Sequence, residues 1–142
     1  MPTYTVSVEY QGVQEWFADG KRHRNNGPAV VGPNGYTAWY QNGLLHRKNG
    51  PALTFSDGTE FWYVNGVQHR DDGPAVFRIN AVQQWWVNGL LHRVDGPAID
   101  NADGFQAWWV NGKLHRVNGP AVILPNGGQE WWVDGKQLSY PE

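Results

Sequence analysis

His-Arg occurs at positions 23, 46, 69, 92 and 115, and Gly-Pro-Ala begins at 27, 50, 73, 96 and 119, so each step is 23 residues with no insertion. A fixed period in this range is the signature of stacked supersecondary units, none of which can bury its apolar face without a neighbour. The stretch Trp85-Trp86-Val87-Asn88-Gly89-Leu90-Leu91-His92-Arg93-Val94-Asp95-Gly96-Pro97-Ala98 shows the unit most fully. Its Trp, His, Arg and Asp resemble the contents of a catalytic or metal site. Because each recurs with the period, each has to be weighed first as architecture.

Two turns punctuate the unit. The first is Asp19-Gly20, Asn42-Gly43, Asn65-Gly66, Asn88-Gly89, Asn111-Gly112 and Asp134-Gly135, a strong hairpin signal because both residue types tolerate positive φ. The second is Asn34-Gly35, Asp57-Gly58, Asp103-Gly104 and Asn126-Gly127, with Asn80-Ala81 as a weakened copy that predicts a slightly altered turn. Two turns per period imply two short strands, hence an all-β chain folded as an elongated single-layer β-hairpin solenoid of five to six repeats. One domain is expected over 1–142. Residues 1–13 form an N-terminal cap strand, 14–135 the repeats and 136–142 a C-terminal cap, where Leu138-Ser139 replaces His-Arg.

Alternation along a strand assigns the faces. One face holds Trp16, Trp39, Trp62, Trp85, Trp108 and Trp131, an invariant stripe that reads as core, with Val30, Leu53, Val76, Ile99 and Val122 packed on it. The other holds Phe17, Tyr40, Tyr63, Trp86, Trp109 and Trp132 beside the variable Glu15, Ala38, Phe61, Gln84, Ala107 and Glu130. This second stripe is expected to be partly exposed. Exposed aromatic patches rimmed by Arg often mark interaction surfaces, so the candidate protein-binding residues are Phe17, Tyr40, Tyr63, Trp86, Trp109 and Trp132 with Arg47, Arg70, Arg93 and Arg116.

Charge and chemistry narrow the function. Eleven basic and 13 acidic residues leave a net charge of −2, so no global field draws the chain to nucleic acid or to an anionic membrane. The absence of Cys removes disulfides, thiolate metal sites and cysteine nucleophiles, and no apolar run approaches the roughly 20 residues of a spanning helix. A soluble, cytoplasmic protein is expected. If each unit adds two strands about 4.8 Å apart, successive histidines lie about 10 Å apart, too far to share a zinc ion that needs each ligand at about 2.1 Å. No metal and no cofactor are expected, and each His is read as bracing its turn through a ring hydrogen bond. The Arg row stacks on aromatic rings or pairs with carboxylates; alternatively it binds a small anionic ligand or nucleotide with aromatic stacking. The only serines, Ser7, Ser56 and Ser139, are scattered, and no phosphate-binding glycine loop is present, so the chain reads as non-enzymatic.

The order of residues in Trp109-Val110-Asn111-Gly112-Lys113-Leu114-His115-Arg116-Val117-Asn118-Gly119 resembles the MORN repeat, and the resemblance runs from about Gln14 to Gln137. Arg24, Arg47, Arg70, Arg93 and Arg116 stand where the usual repeat has Gly, and Pro28, Pro51, Pro74, Pro97 and Pro120 follow the second Gly. That variant is similar to repeats of bacterial and bacteriophage open reading frames. The resemblance implies a stacked hairpin sheet and a scaffold or protein-binding role, with no membrane role carried over. In its sharper form it implies a phage-encoded inhibitor that occludes a bacterial host factor. A structural element that self-associates through end strands or aromatic faces is a third expectation.

Overall fold

A computed structural model describes residues 5–139; the first and last few residues of the two expected caps lie outside that range. The expected all-β class is what the structure shows, with no α-helix among the described residues. The chain divides into two compact units, Met1–Gln68 and His69–Glu142.

In the first unit the strands Val6–Tyr10, Val13–Ala18, Val30–Val31, Thr37–Ala38, Leu53–Thr54 and Glu60–Phe61 pair in that order. In the second the order is Val76–Arg78, Val82–Gln84, Ile99–Asn101, Gln106–Ala107, Val122–Ile123, Gln129–Val133 and Lys136–Leu138. Every pairing is antiparallel, and neither order returns to its first strand, so the ladder in each unit is open.

The expected count of two strands per repeat is corrected to four. Beside the ladder stands a row of separate two-stranded hairpins, such as Tyr40–Gln41 with Leu44–Leu45 and Trp86–Val87 with Leu90–Leu91. The aromatic strand of each internal repeat breaks at its first Trp, for a reason visible in the hydrogen bonds. Trp85 N–H donates to the Ala98 carbonyl at 2.7 Å, in the ladder, while its own carbonyl accepts His92 N–H at 3.0 Å, in the hairpin. The backbone therefore changes partner at that residue. Trp39 and Trp108 repeat the corner, donating to Ala52 and Ala121 at 2.7 Å.

The hairpin turns follow from residue type. Asn42, Asn65, Asn88 and Asn111 take φ of 50–51° and the glycines after them 77–80°, the doubly positive geometry of a two-residue turn whose twist matches its strands. Gln11-Gly12 adopts the same turn, with φ of 51° and 81°. With Tyr10 opposite Val13 it is a two-residue turn, shorter than the one at Asn34-Gly35 with which it aligns in sequence, where Val31 pairs with Thr37. Another of the longer turns spans Phe55 to Thr59 and a third Asn101 to Phe105, and Asp57 and Asp103 carboxylates cap these two by accepting the N–H two residues on, at 2.8 and 2.9 Å.

The core also differs from expectation. The Trp stripe is only half-buried, whereas Ala29, Ala52, Ala75, Ala98 and Ala121 of Gly-Pro-Ala have no exposed surface at all. Val30, Val76 and Val122 lie beside them and are buried, while Leu53 and Ile99 are half-buried. Ala52, Ala98 and Ala121 sit where two repeats close on one another: Ala98 N–H donates to the Ala107 carbonyl at 2.8 Å while its carbonyl takes Trp85 N–H. The close-packed centre at this approach is thus the small methyl, with the Trp ring only half-buried beside it.

Ala81 occupies the position held by Gly35, Gly58, Gly104 and Gly127 in the other repeats and keeps their turn, at φ 63°. A Cβ in the left-handed region costs on the order of 1 kcal/mol. Ala81→Gly is accordingly expected to stabilise the protein by about 1 kcal/mol and raise the melting temperature by about 3 °C, measured by thermal denaturation. An unchanged or lower midpoint would show that the turn carries no such strain.

Candidate functional site

Four of the repeats build the same three-layer stack. Arg93 Cζ lies 3.8 Å from the centre of the Trp85 ring, and the equivalent pairs Arg24 with Trp16, Arg47 with Trp39 and Arg116 with Trp108 lie at 3.8–3.9 Å. On the opposite side of the guanidinium is Gly96, where a Cβ would fall 2.8 Å from Cζ; at Gly50 the figure is 2.6 Å. The glycine of Gly-Pro-Ala is therefore required by close approach and not by its φ. Nη1 of Arg93 donates to the Pro97 carbonyl at 3.1 Å and Nε to Asp95 at 3.2 Å. Arg70 repeats these bonds with Pro74 and Asp72, while Arg47 and Arg116 donate to Pro51 and Pro120. Burial beneath this stack pushes the ionisation of Arg47 below the ordinary guanidinium value, an effect that the nearby charge of Glu60 opposes. The four candidate arginines are thus engaged inside the repeat, and about a quarter of the side chain of Arg70 or Arg93 still meets solvent.

The histidines brace a turn, but it is the turn of the following repeat. Nδ1 of His23, His46, His92 and His115 accepts the backbone N–H of Asn42, Asn65, Asn111 and Asp134 at 2.9–3.0 Å. Nδ1 must then hold a lone pair, so Nε2 carries the proton. His69 follows suit with Asn88 and places Nε2 3.0 Å from Asp71, while Nε2 of His23 lies 2.8 Å from Asn25 Oδ1. Among the described residues no three His, Asp or Glu side chains converge as metal ligands would.

The second aromatic stripe rides on the hairpins. Phe17, Tyr40, Tyr63, Trp86, Trp109 and Trp132 are all half-buried, opposite Arg22, Leu45, Gln68, Leu91, Leu114 and Gln137 respectively. The residue two before each ring decides its polar chemistry. Trp86 Nε1 donates to Gln84 at 3.0 Å and Trp132 Nε1 to Glu130 at 2.9 Å. Glu15 turns instead to Arg22, at 3.0 Å. Trp109 has Ala107 in that place, and its buried Nε1 has no acceptor.

At the end of this stripe Trp109 and Trp132 line an open groove of about 480 Å³ with Leu114, Lys113, Lys136 and Asp134. The stem of Lys113 runs over Gly135, whose Cβ position is 3.6 Å from the Lys113 Cβ. A different set of troughs opens on the Arg side. One, about 700 Å³, lies between Arg93–Gly96 and Trp108, Val110, His115 and Arg116. Its rim carries Val94 and Val117, exposed by 81% and 77%, where earlier repeats have Asn25, Lys48 and Asp71. Sequence reasoning passed over these two valines. The available signal was an apolar residue at a turn position that is polar elsewhere in the array.

Two outcomes check this site. Arg93→Lys removes the flat stack and the fork to Pro97 and Asp95, and is expected to cost about 2 kcal/mol in denaturant unfolding. Ala107 is 2% exposed, so Ala107→Gln overpacks its site even as it offers Trp109 an acceptor, and is expected to cost about 1 kcal/mol by the same measurement. Comparison with known families and with curated proteins gives no match to this chain.

Proposed function

We propose that this protein is a MORN-like, non-enzymatic binding module that engages a protein partner through the second aromatic stripe. The observation that carries the reading is the Trp109–Trp132 groove, in which two half-buried indoles meet two lysines with exposed side chains. Trp platforms supply large contact area at low entropic cost, and flanking charge selects the partner and its register. The groove suits a segment that offers an apolar side chain to the indoles and carboxylates to Lys113 and Lys136. Inhibition of a bacterial host factor by occlusion, in the cytoplasm, is the sharper form of the same proposal. Among the described residues no helix is long and apolar enough to cross a membrane.

The alternative of an anionic ligand gripped by the Arg row is weakened by geometry. The flat faces of these guanidinium groups are taken by Trp and Gly, and their forks by Pro carbonyls and Asp, so little is left to hold a phosphate.

The test compares tagged wild-type protein with Trp109→Ala/Trp132→Ala and with Lys113→Glu/Lys136→Glu as baits in a bacterial lysate, bound proteins being identified by mass spectrometry. Both double variants are expected to lose at least about tenfold of the captured partner. The lysine variant should keep its stability within about 0.5 kcal/mol, since both residues are exposed. Equal capture by wild-type and lysine-variant protein would remove the groove as the contact surface. Unfolding of the tryptophan variant would mark the stripe as structural.

A further inference from the structure

The segment Val6-Ser7-Val8-Glu9-Tyr10 alternates apolar and polar residues and forms the first strand of the first unit's ladder, paired on one side with Val13–Ala18. The turn at Gln11-Gly12 fixes its register, with Tyr10 opposite Val13, Val8 opposite Glu15 and Val6 opposite Phe17. In a two-residue hairpin the pair that flanks the turn exchanges both backbone bonds, and bonded and non-bonded pairs then alternate. Tyr10, Val8 and Val6 therefore direct N–H and C=O inward, while Ser7 and Glu9 direct theirs away from the sheet. The neighbouring strand agrees: Trp16, opposite Ser7, sends its N–H the other way, to the Ala29 carbonyl at 2.8 Å.

Glu9 is the one charge in this strand, and little else blunts its edge. It has five residues, no Pro, no Lys and no bulge, and all five are exposed. Val6, Val8 and Tyr10 stand on one face with exposures of 62%, 51% and 71%. The last strand of the second unit is different, with three residues and Lys136 at its start.

We propose that Val6–Tyr10 is a self-pairing surface, through which two copies of this chain join antiparallel across a two-fold axis at Val8. This register brings Val6 opposite Tyr10 of the partner subunit and Ser7 opposite Glu9 of the partner subunit. All five residues are then used, the apolar trio meets its own copy, and no carboxylate faces a carboxylate. The register centred one residue later sets the two Glu9 side chains against each other, and like charges directly opposite are unfavourable. The outward groups of Ser7 and Glu9 form the bonded pairs, and Val8 meets Val8 of the partner subunit at a non-bonded position, where side chains approach most closely. The contact is isologous, so it closes as a dimer and does not propagate. Five residues make a small interface, so the dissociation constant is expected near about 10 µM.

The experiment is sedimentation equilibrium of the full chain over a concentration series up to about 100 µM, a range that brackets that affinity. Wild type is expected to move from the 16.0 kDa monomer to twice that mass, 32.0 kDa. Val8→Lys sets two ammonium groups opposite each other on the axis and should remain monomeric. Ser7→Pro deletes an outward N–H that makes no bond to Val13–Ala18, and should do the same with circular dichroism unchanged. The Trp109→Ala/Trp132→Ala protein should still dimerise, which separates this surface from the groove. A wild type that stays at 16.0 kDa throughout overturns the proposal. So does a dimer that persists in both edge variants, or one lost in the tryptophan variant alone.

Discussion

The backbone corner at the first tryptophan of each repeat is the constraint on which the rest depends. At Trp39, Trp85 and Trp108 the N–H belongs to the ladder and the carbonyl to the hairpin, so one residue ties the two together. The fixed partner on the ladder side is an alanine carbonyl with no exposed surface. Leaving either group unpaired there would cost on the order of 1–3 kcal/mol. The alanine of Gly-Pro-Ala has no exposed surface at any copy, so a larger side chain there would have to displace its neighbours.

The indole displaced from that corner is completed by the Arg and Gly that follow it. Stacking of a guanidinium on Trp is worth about 1–2 kcal/mol when partly desolvated. Here it also caps an apolar ring that no second layer of secondary structure covers. Gly supplies the third layer because its missing Cβ leaves about the thickness of a guanidinium, as the 2.6–3.0 Å clash distances show. The same logic extends between repeats. His92 reaches forward to the turn at Asn111, and Gly112 N–H reaches back to the Leu91 carbonyl at 2.9 Å. Stability in such an array is a sum of nearest-neighbour terms, and these two bonds are among the terms.

Once the periodic residues are assigned to these tasks, what remains variable is where binding chemistry can reside. Lys113 and Lys136 stand beside Trp109 and Trp132 where the hairpins before them have Leu44, Val67 and Leu90 and the first has Lys21 beside a Phe, and Val94 and Val117 replace polar residues on the loop row. The pairing of two Trp with two Lys, and the two valines, lie in the second unit. The first unit carries a distinctive surface of its own in the edge of Val6–Tyr10. The histidines and arginines that looked most like chemistry are the residues most tied to the frame.

Much of this was legible from spacing. The 23-residue period, the Asn-Gly turns and the alternation of aromatic residues determine an all-β hairpin array, because turn geometry and side-chain direction are local properties of the backbone. The same local rules place Trp86, Trp109 and Trp132 together on one stripe. They do not reveal that the strand breaks at Trp85, that Ala98 and not Trp85 is the closed core, or that His92 serves the next turn instead of its own. Nor do they show that Ala107 leaves Trp109 Nε1 without an acceptor. Each of those depends on which carbonyl or side chain arrives from 13 to 19 residues away or from a neighbouring strand, and only the packing of one repeat against the next decides that.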